Sequence, residues 1–143
     1  MSASQESRGT CLCGAVSIRV TLERHDVSIC HCRMCQTWSG GPMFAVESDA
    51  PMTLEGEENV GVYASSDWAE RGFCRQCGTH LFYRLTQGQH YAFPVGLLDA
   101  GEPWAIVQQI FIDEKPSFYD FANDTPCLTG DEVFAQFAGS AGS

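Results

Sequence analysis

Three cysteines within six residues, Cys30-His31-Cys32-Arg33-Met34-Cys35, restrict this chain more than any other feature. Cys11-Leu12-Cys13-Gly14 lies upstream, and Cys74-Arg75-Gln76-Cys77-Gly78 lies downstream. Seven of the eight cysteines therefore stand in C-x-C or C-x-x-C spacing. Thiolates at that spacing can grip one soft ion from a tight turn, and Zn²⁺ takes four such ligands at about 2.3 Å each. The spacing divides the seven into four plus three. Four cysteines would close a structural site, whereas three would leave one zinc position for water or substrate.

The glycine after Cys77, like the one after Cys13, permits the positive φ that lets backbone N–H groups point at sulfur. A redox dithiol would need its C-x-x-C to open a helix, and no helical pattern follows Cys77. For the triple, a second closed site remains an alternative, with His31, another histidine or Cys127 as fourth ligand. His31, set between two ligands, is expected to point away from their metal. Cys127, in Asp124-Thr125-Pro126-Cys127, reads as a small buried residue. His25, His80 and His90 show no partner spacing.

A chain of 143 residues fits one domain, and 44% hydrophobic residues supply a core without help from metals. The formal charge is −10, with only eight scattered basic residues. That excludes nucleic acid as the expected partner, because such affinity rests on Lys and Arg neutralising phosphates. No apolar run approaches the roughly 20 residues of a membrane helix. The first residues, Met1-Ser2-Ala3-Ser4-Gln5-Glu6-Ser7, have neither a basic nor an apolar signal region. A cytoplasmic location is expected, and there clustered cysteines serve as metal ligands more often than as disulfide partners.

Val16, Ile18, Val20 and Leu22 alternate with polar residues, the period of a half-buried strand. Val27-Ser28-Ile29-Cys30 reads as its antiparallel hairpin partner, ending at the central cysteines and bringing the two metal sites close together. Further strands are expected at Met43–Val46, Val60–Ala64, Thr79–Leu85, Tyr91–Val95 and Ala105–Ile112. The run Gln36 to Pro42 breaks regular structure. Short helical turns are expected near Asp131–Phe137. Many short strands punctuated by Gly and Pro predict an all-β domain with short helical turns. Residues 1–9 are expected to be disordered or loosely attached, residues 10–137 to form a single domain, and residues 138–143 a flexible tail.

Cys11-x-Cys13-Gly14, then Cys30-His31-Cys32-Arg33-Met34-Cys35-Gln36 with Ser39-Gly40, then Phe73-Cys74-x-x-Cys77-Gly78-Thr79-x-Leu81-Phe82 together resemble the glutathione-dependent formaldehyde-activating enzyme (GFA) family. Ile110-Phe111-Ile112-Asp113-Glu114-Lys115 and Phe118-Tyr119-Asp120 look like the family's closing strand and aromatic-acidic tail. The resemblance implies an Mss4-like, zinc-bearing β-sandwich of short antiparallel strands over residues 10–137. It implies two zinc ions per chain: a structural one on Cys11, Cys13, Cys74 and Cys77, and a catalytic one on Cys30, Cys32 and Cys35. The implied activity is that of a carbon–sulfur lyase acting on a thiol adduct of an aldehyde such as S-hydroxymethylglutathione. The partners would be glutathione or another small thiol and an aldehyde, without nucleic acid or membrane.

Arg33, beside an open zinc, suits a substrate carboxylate. Ser39 and Gly40 offer a backbone patch that substrate can approach. The competing reading is a zinc-stabilised β-domain that binds a protein partner without catalysis. The three-cysteine cluster weighs against it, since a scaffold gains nothing from an incomplete site.

Overall fold

The structure is a computed structural model that describes residues 5–99 and 104–141, with side chains described to residue 136. In chain order the elements are β1 (Gln5–Thr10), β2 (Ser17–Leu22), β3 (Asp26–Cys30), α1 (Arg33–Ser39), β4 (Met43–Ser48), β5 (Thr53–Glu55), β6 (Val60–Ala64), β7 (Ala69–Cys74), β8 (His80–Leu85), β9 (Tyr91–Pro94), β10 (Ala105–Ile110), β11 (Cys127–Leu128) and α2 (Gly130–Ala141). The chain is β-rich, as its punctuation predicts. It divides into two compact units, Met1–His25 with Ala45–Trp104, and Asp26–Phe44 with Ala105–Ser143.

The first unit carries two sets of strands. One is β1-β2-β5, antiparallel throughout; the other runs β4-β9-β8-β7-β6, also antiparallel. The alternation of β2 sends Ile18, Val20 and Leu22 inward while Arg19 faces out. Phe93, Leu81, Val46 and Ala69 are buried from the second set. Gly72 belongs in β7 because a Cβ there would stand 2.2 Å from the Phe82 ring.

Residues 5–9, expected to be loose, belong to a strand instead. β1 pairs with the whole of β2, from Gln5↔Leu22 to Thr10↔Ser17. Asp99 closes it, accepting from the Arg8 N–H at 2.7 Å while its own N–H donates to the Arg8 carbonyl at 2.8 Å. Backbone pairing holds this segment, so its polar composition concealed it. Residues 1–4 lie outside the described residues.

In the second unit β11, β10 and β3 run parallel in that order. The expected hairpin of β2 with β3 is not formed. Both edges of β2 are taken by β1 and β5, while β3 lies parallel to β10 with Ile110 opposite Cys30. Nor does the chain after Cys35 lose regular structure, since α1 covers Arg33–Ser39. The Cys32 side chain caps it by accepting from the Cys35 N–H, and Gly40, at φ 84°, ends it by donating to the Gln36 carbonyl. That left-handed position is why a glycine stands there.

α2 runs beyond the expected Asp131–Phe137. Thr129 and Glu132 form a reciprocal cap, each accepting the other's N–H at 3.2 and 2.8 Å. The helix continues through residues 138–141, expected to be tail; residues 142–143 lie outside the described residues. No helix among the described residues is long and apolar enough to cross a membrane.

Candidate metal centres

Two cysteine turns of the first unit face each other. In the turn after β1, the Gly14 N–H returns to the Cys11 carbonyl at 3.0 Å; in the turn after β7, the Gly78 N–H returns to the Cys74 carbonyl at 2.8 Å. Both glycines sit at φ near +80°, as the expected N–H···S turns require. Cys11, Cys13, Cys74 and Cys77 converge, each sulfur within 4.8 Å of the others. Cys13 Sγ lies 3.6 Å from Cys11 Sγ and 3.7 Å from Cys74 Sγ. Sulfurs placed tetrahedrally on 2.3 Å arms would stand about 3.8 Å apart, so these two edges already match a zinc tetrahedron.

Backbone N–H groups support these sulfurs. Val16 donates to Cys11 and Gln76 to Cys74, both at 3.3 Å. Thr79, whose side chain was not singled out as part of a site in the sequence, ties the two turns together. Its hydroxyl accepts from the Leu12 N–H at 3.1 Å and is hydrogen-bonded to Cys77 Sγ at 3.1 Å. The Thr79 hydroxyl, followed by its N–H, pulls Cys77 down to about 5. At Cys13 the Ala15 N–H favours the thiolate, yet burial and the neighbouring Cys11, Cys77 and Cys74 overcome it and push the thiol up to about 12. Burial and Cys77 oppose ionisation of Cys11, but the Val16 N–H, Cys13 and Cys74 leave it lowered. Four such thiols cannot all ionise against one another without a cation. A dication fits this donor set.

The second unit gathers Cys30, Cys32 and Cys35, their sulfurs also within 4.8 Å of one another. β3 delivers Cys30, the extended Cys32 begins α1, and Cys35 lies one turn into the helix, with its N–H 3.3 Å from Cys32 Sγ. Cys32 and Cys35 are buried. Cys30 is pushed far above the ordinary thiol range, first by its contacts with Cys32 and Cys35, then by burial and by their charge. This donor set too calls for a positive charge, and a soft dication suits three sulfurs.

Among the described residues neither cluster includes a histidine or carboxylate. His31 points away from the sulfurs, as expected, with its ring nitrogens at Tyr119 and Gln109. Cys127 stands outside both clusters and is exposed rather than buried, its Sγ directed at the Thr125 carbonyl. None of the eight cysteines is in a disulfide.

The remaining candidates lie along α1. Arg33 is exposed and its guanidinium donates to Gln36 Oε1 at 3.1 Å. Ser39 is exposed, and the Gly40 N–H is used in the helix cap. Two residues not singled out in the sequence brace the centre. Gln36 Nε2 donates to the carbonyls of His31 and Glu114 at 2.8 and 3.1 Å, and the Glu114 carboxylate accepts the Arg33 N–H at 2.8 Å. Phe111, at φ 55°, turns the chain out of β10 and so brings Glu114 to the start of α1.

Comparison with known proteins gives the following. The model of a family described as glutathione-dependent formaldehyde-activating enzyme matches residues 6–114, which include all three cysteine motifs. An uncharacterized lyase of Schizosaccharomyces pombe is 40% identical over 129 residues, covering 90% of this chain and 94% of that protein. A putative glutathione-dependent formaldehyde-activating enzyme of Halomonas elongata is 30% identical over 83 residues, about half of each chain (52% and 53%). The crystal structure of a Rhodobacter sphaeroides protein aligns with a TM-score of 0.57 at 28% identity, covering 67% of this chain and 91% of that one.

Proposed function

This chain belongs to the glutathione-dependent formaldehyde-activating enzyme family, and from that premise we propose that it is a zinc-dependent carbon–sulfur lyase acting on an adduct of glutathione, or another small thiol, with an aldehyde. The observation that carries the proposal is the contrast between its two cysteine clusters. One offers four sulfurs and the other three, with no histidine or carboxylate making up the difference among the described residues. Cys11, Cys13, Cys74 and Cys77 would hold a structural zinc, and Cys30, Cys32 and Cys35 a catalytic one. Bound there, zinc would leave one position free to lower the pKa of a thiol or to polarise an aldehyde oxygen.

In the synthetic direction the thiol sulfur bonds to the carbonyl carbon, the C=O π bond breaks, and the thiol proton ends on oxygen. The lyase direction reverses each change. The chain contributes placement. Cys32 holds the first turn of α1, Gln36 braces the His31 carbonyl, and Glu114 holds the Arg33 backbone. The exposed Arg33 guanidinium, hydrogen-bonded to Gln36 Oε1 at 3.1 Å, would turn to a substrate carboxylate, and Ser39 and Gly40 would offer the backbone patch that substrate approaches. Cysteines clustered at metal-ligand spacing suit a reducing compartment, and a cytoplasmic location belongs to this proposal.

The test is carbon-13 exchange spectroscopy of labelled formaldehyde mixed with glutathione. Zinc-loaded protein should accelerate exchange between free formaldehyde and the S-hydroxymethyl carbon, and Cys35→Ser should abolish the acceleration. Exchange at the uncatalysed rate with fully loaded protein would overturn the assignment.

A further inference from the structure

His31 is fully buried, at 0% exposure, and every polar atom it carries is engaged. Its backbone N–H donates to the Ile110 carbonyl at 3.0 Å, and its carbonyl accepts from Gln36 Nε2 at 2.8 Å. Ring atom Nε2 lies 2.9 Å from Gln109 Oε1, and Nδ1 lies 2.7 Å from the Tyr119 hydroxyl. The Gln109 amide nitrogen is turned to Thr125 Oγ1 at 3.3 Å, so its oxygen is the end that meets the imidazole. An amide oxygen only accepts, so Nε2 carries the ring proton and Nδ1 accepts from the phenol. The Tyr119 ring also stacks on the imidazole, with centroids 5.6 Å apart and planes 28° apart.

This histidine stands between Cys30 and Cys32. Along an extended chain successive side chains point to opposite sides, so two sulfurs on one face place His31 on the other. Turning either sulfur away from the cluster means rotating the peptide units that His31 anchors, and that would break buried hydrogen bonds.

We propose that His31 is the positioning residue of the three-cysteine centre, clamped by Tyr119 and Gln109 so that Cys30 and Cys32 keep their aim at a shared metal ion. The proposal rests on reading the three cysteines as a metal site. A histidine that merely fills the interior would affect stability alone. A positioning histidine also sets the metal affinity of one centre without touching the other.

The experiment compares wild type, Tyr119→Phe and Gln109→Leu, each stripped and reloaded with zinc, then titrated with a competing chelator. Parallel samples are loaded with Co²⁺ to read the sulfur-to-metal charge-transfer bands. Tyr119→Phe keeps the stacked ring and removes only the hydroxyl, so it serves as the mild variant. Wild type should release two ions in separate steps. In both variants the step belonging to Cys30, Cys32 and Cys35 should weaken roughly 10–100-fold, the usual effect of removing a group that orients a ligand. The charge-transfer bands of that centre should shift, and the four-cysteine step should stay within about threefold of wild type. Two ions in wild type with no change in either variant would overturn the positioning role alone. Equal weakening of both steps would overturn it too, because that marks general destabilisation. A single ion in wild type would overturn the metal-site reading and the proposal with it.

Discussion

Cys74→Ser and Cys32→Ser each remove one sulfur, yet they should behave very differently. Cys74 is wholly buried at the end of β7, with its sulfur 3.7 Å from Cys13 and accepting from the Gln76 N–H at 3.3 Å. A metal held there would join two turns about sixty residues apart in sequence. Structural zinc is worth roughly 10–16 kcal/mol in small metallo-domains, so an equal share for each of four ligands is about 2.5–4 kcal/mol. Against a typical net stability of about 5–15 kcal/mol, that loss is large. For a chain of this length it corresponds to a fall of roughly 5–15 °C in Tm. Cys32 differs because its side chain caps α1 by accepting the Cys35 N–H. Serine is among the best residues at that position, so Cys32→Ser keeps the cap while losing the metal ligand. Calorimetric melts of the zinc-loaded proteins decide the matter. Cys74→Ser should melt at least about 5 °C below wild type or fail to fold, and Cys32→Ser should stay within about 3 °C. Equal losses, or the reverse order, would refute the division of labour between the clusters.

Thr79→Val should weaken the four-cysteine site roughly 10–100-fold in a chelator titration while Thr79→Ser stays close to wild type, because serine keeps the hydroxyl that reaches Cys77 and valine removes it. In metal-free protein the same valine should raise Cys77 from about 5 toward the ordinary thiol range, read by thiolate absorbance. His90 is pushed up to about 8, first by Glu47 and then by Asp49, with burial opposing. A raised pKa stabilises the fold below the unfolded value near 6.5, so the Tm advantage of wild type over His90→Gln should be full at about pH 6 and vanish as pH rises through about 8. Arg33→Ala should weaken glutathione binding by about 1.5–3 kcal/mol in calorimetric titration and leave a neutral thiol unaffected, if the guanidinium meets a carboxylate directly.

Alternation and punctuation make several strands legible in the sequence, although β7, largely buried, is not among the expected ones. β2, β6, β8, β9 and β10 stand where alternation and turn residues place them. The sequence conceals β1, whose polar residues are held by backbone pairing, and it conceals partnership. β3 ends in the same apolar pattern as a hairpin strand, but its neighbour β10 lies some eighty residues on and runs parallel. α1 is hidden for a different reason: seven residues that run into Gly40-Gly41-Pro42 become helical through a sulfur cap at one end and a left-handed glycine at the other. The cysteine clusters are readable because ligand spacing is local. The bracing of the second cluster is not, since Gln109 and Tyr119 reach His31 from 78 and 88 residues away. Gln36 and Thr79 sit beside the motifs, yet an amide or hydroxyl in a sequence does not announce which carbonyl or sulfur it will meet.

The central claim is that one metal centre is closed by four sulfurs and the other is left open by three. Zinc K-edge absorption of the fully loaded protein measures it directly, as sulfur neighbours per zinc before and after glutathione is added. The expected result is about 3.5 sulfurs per zinc with a lighter ligand making up the remainder, rising to about 4 with glutathione as that lighter ligand is lost. Four sulfurs per zinc from the start, or a value that glutathione leaves unchanged, would contradict it.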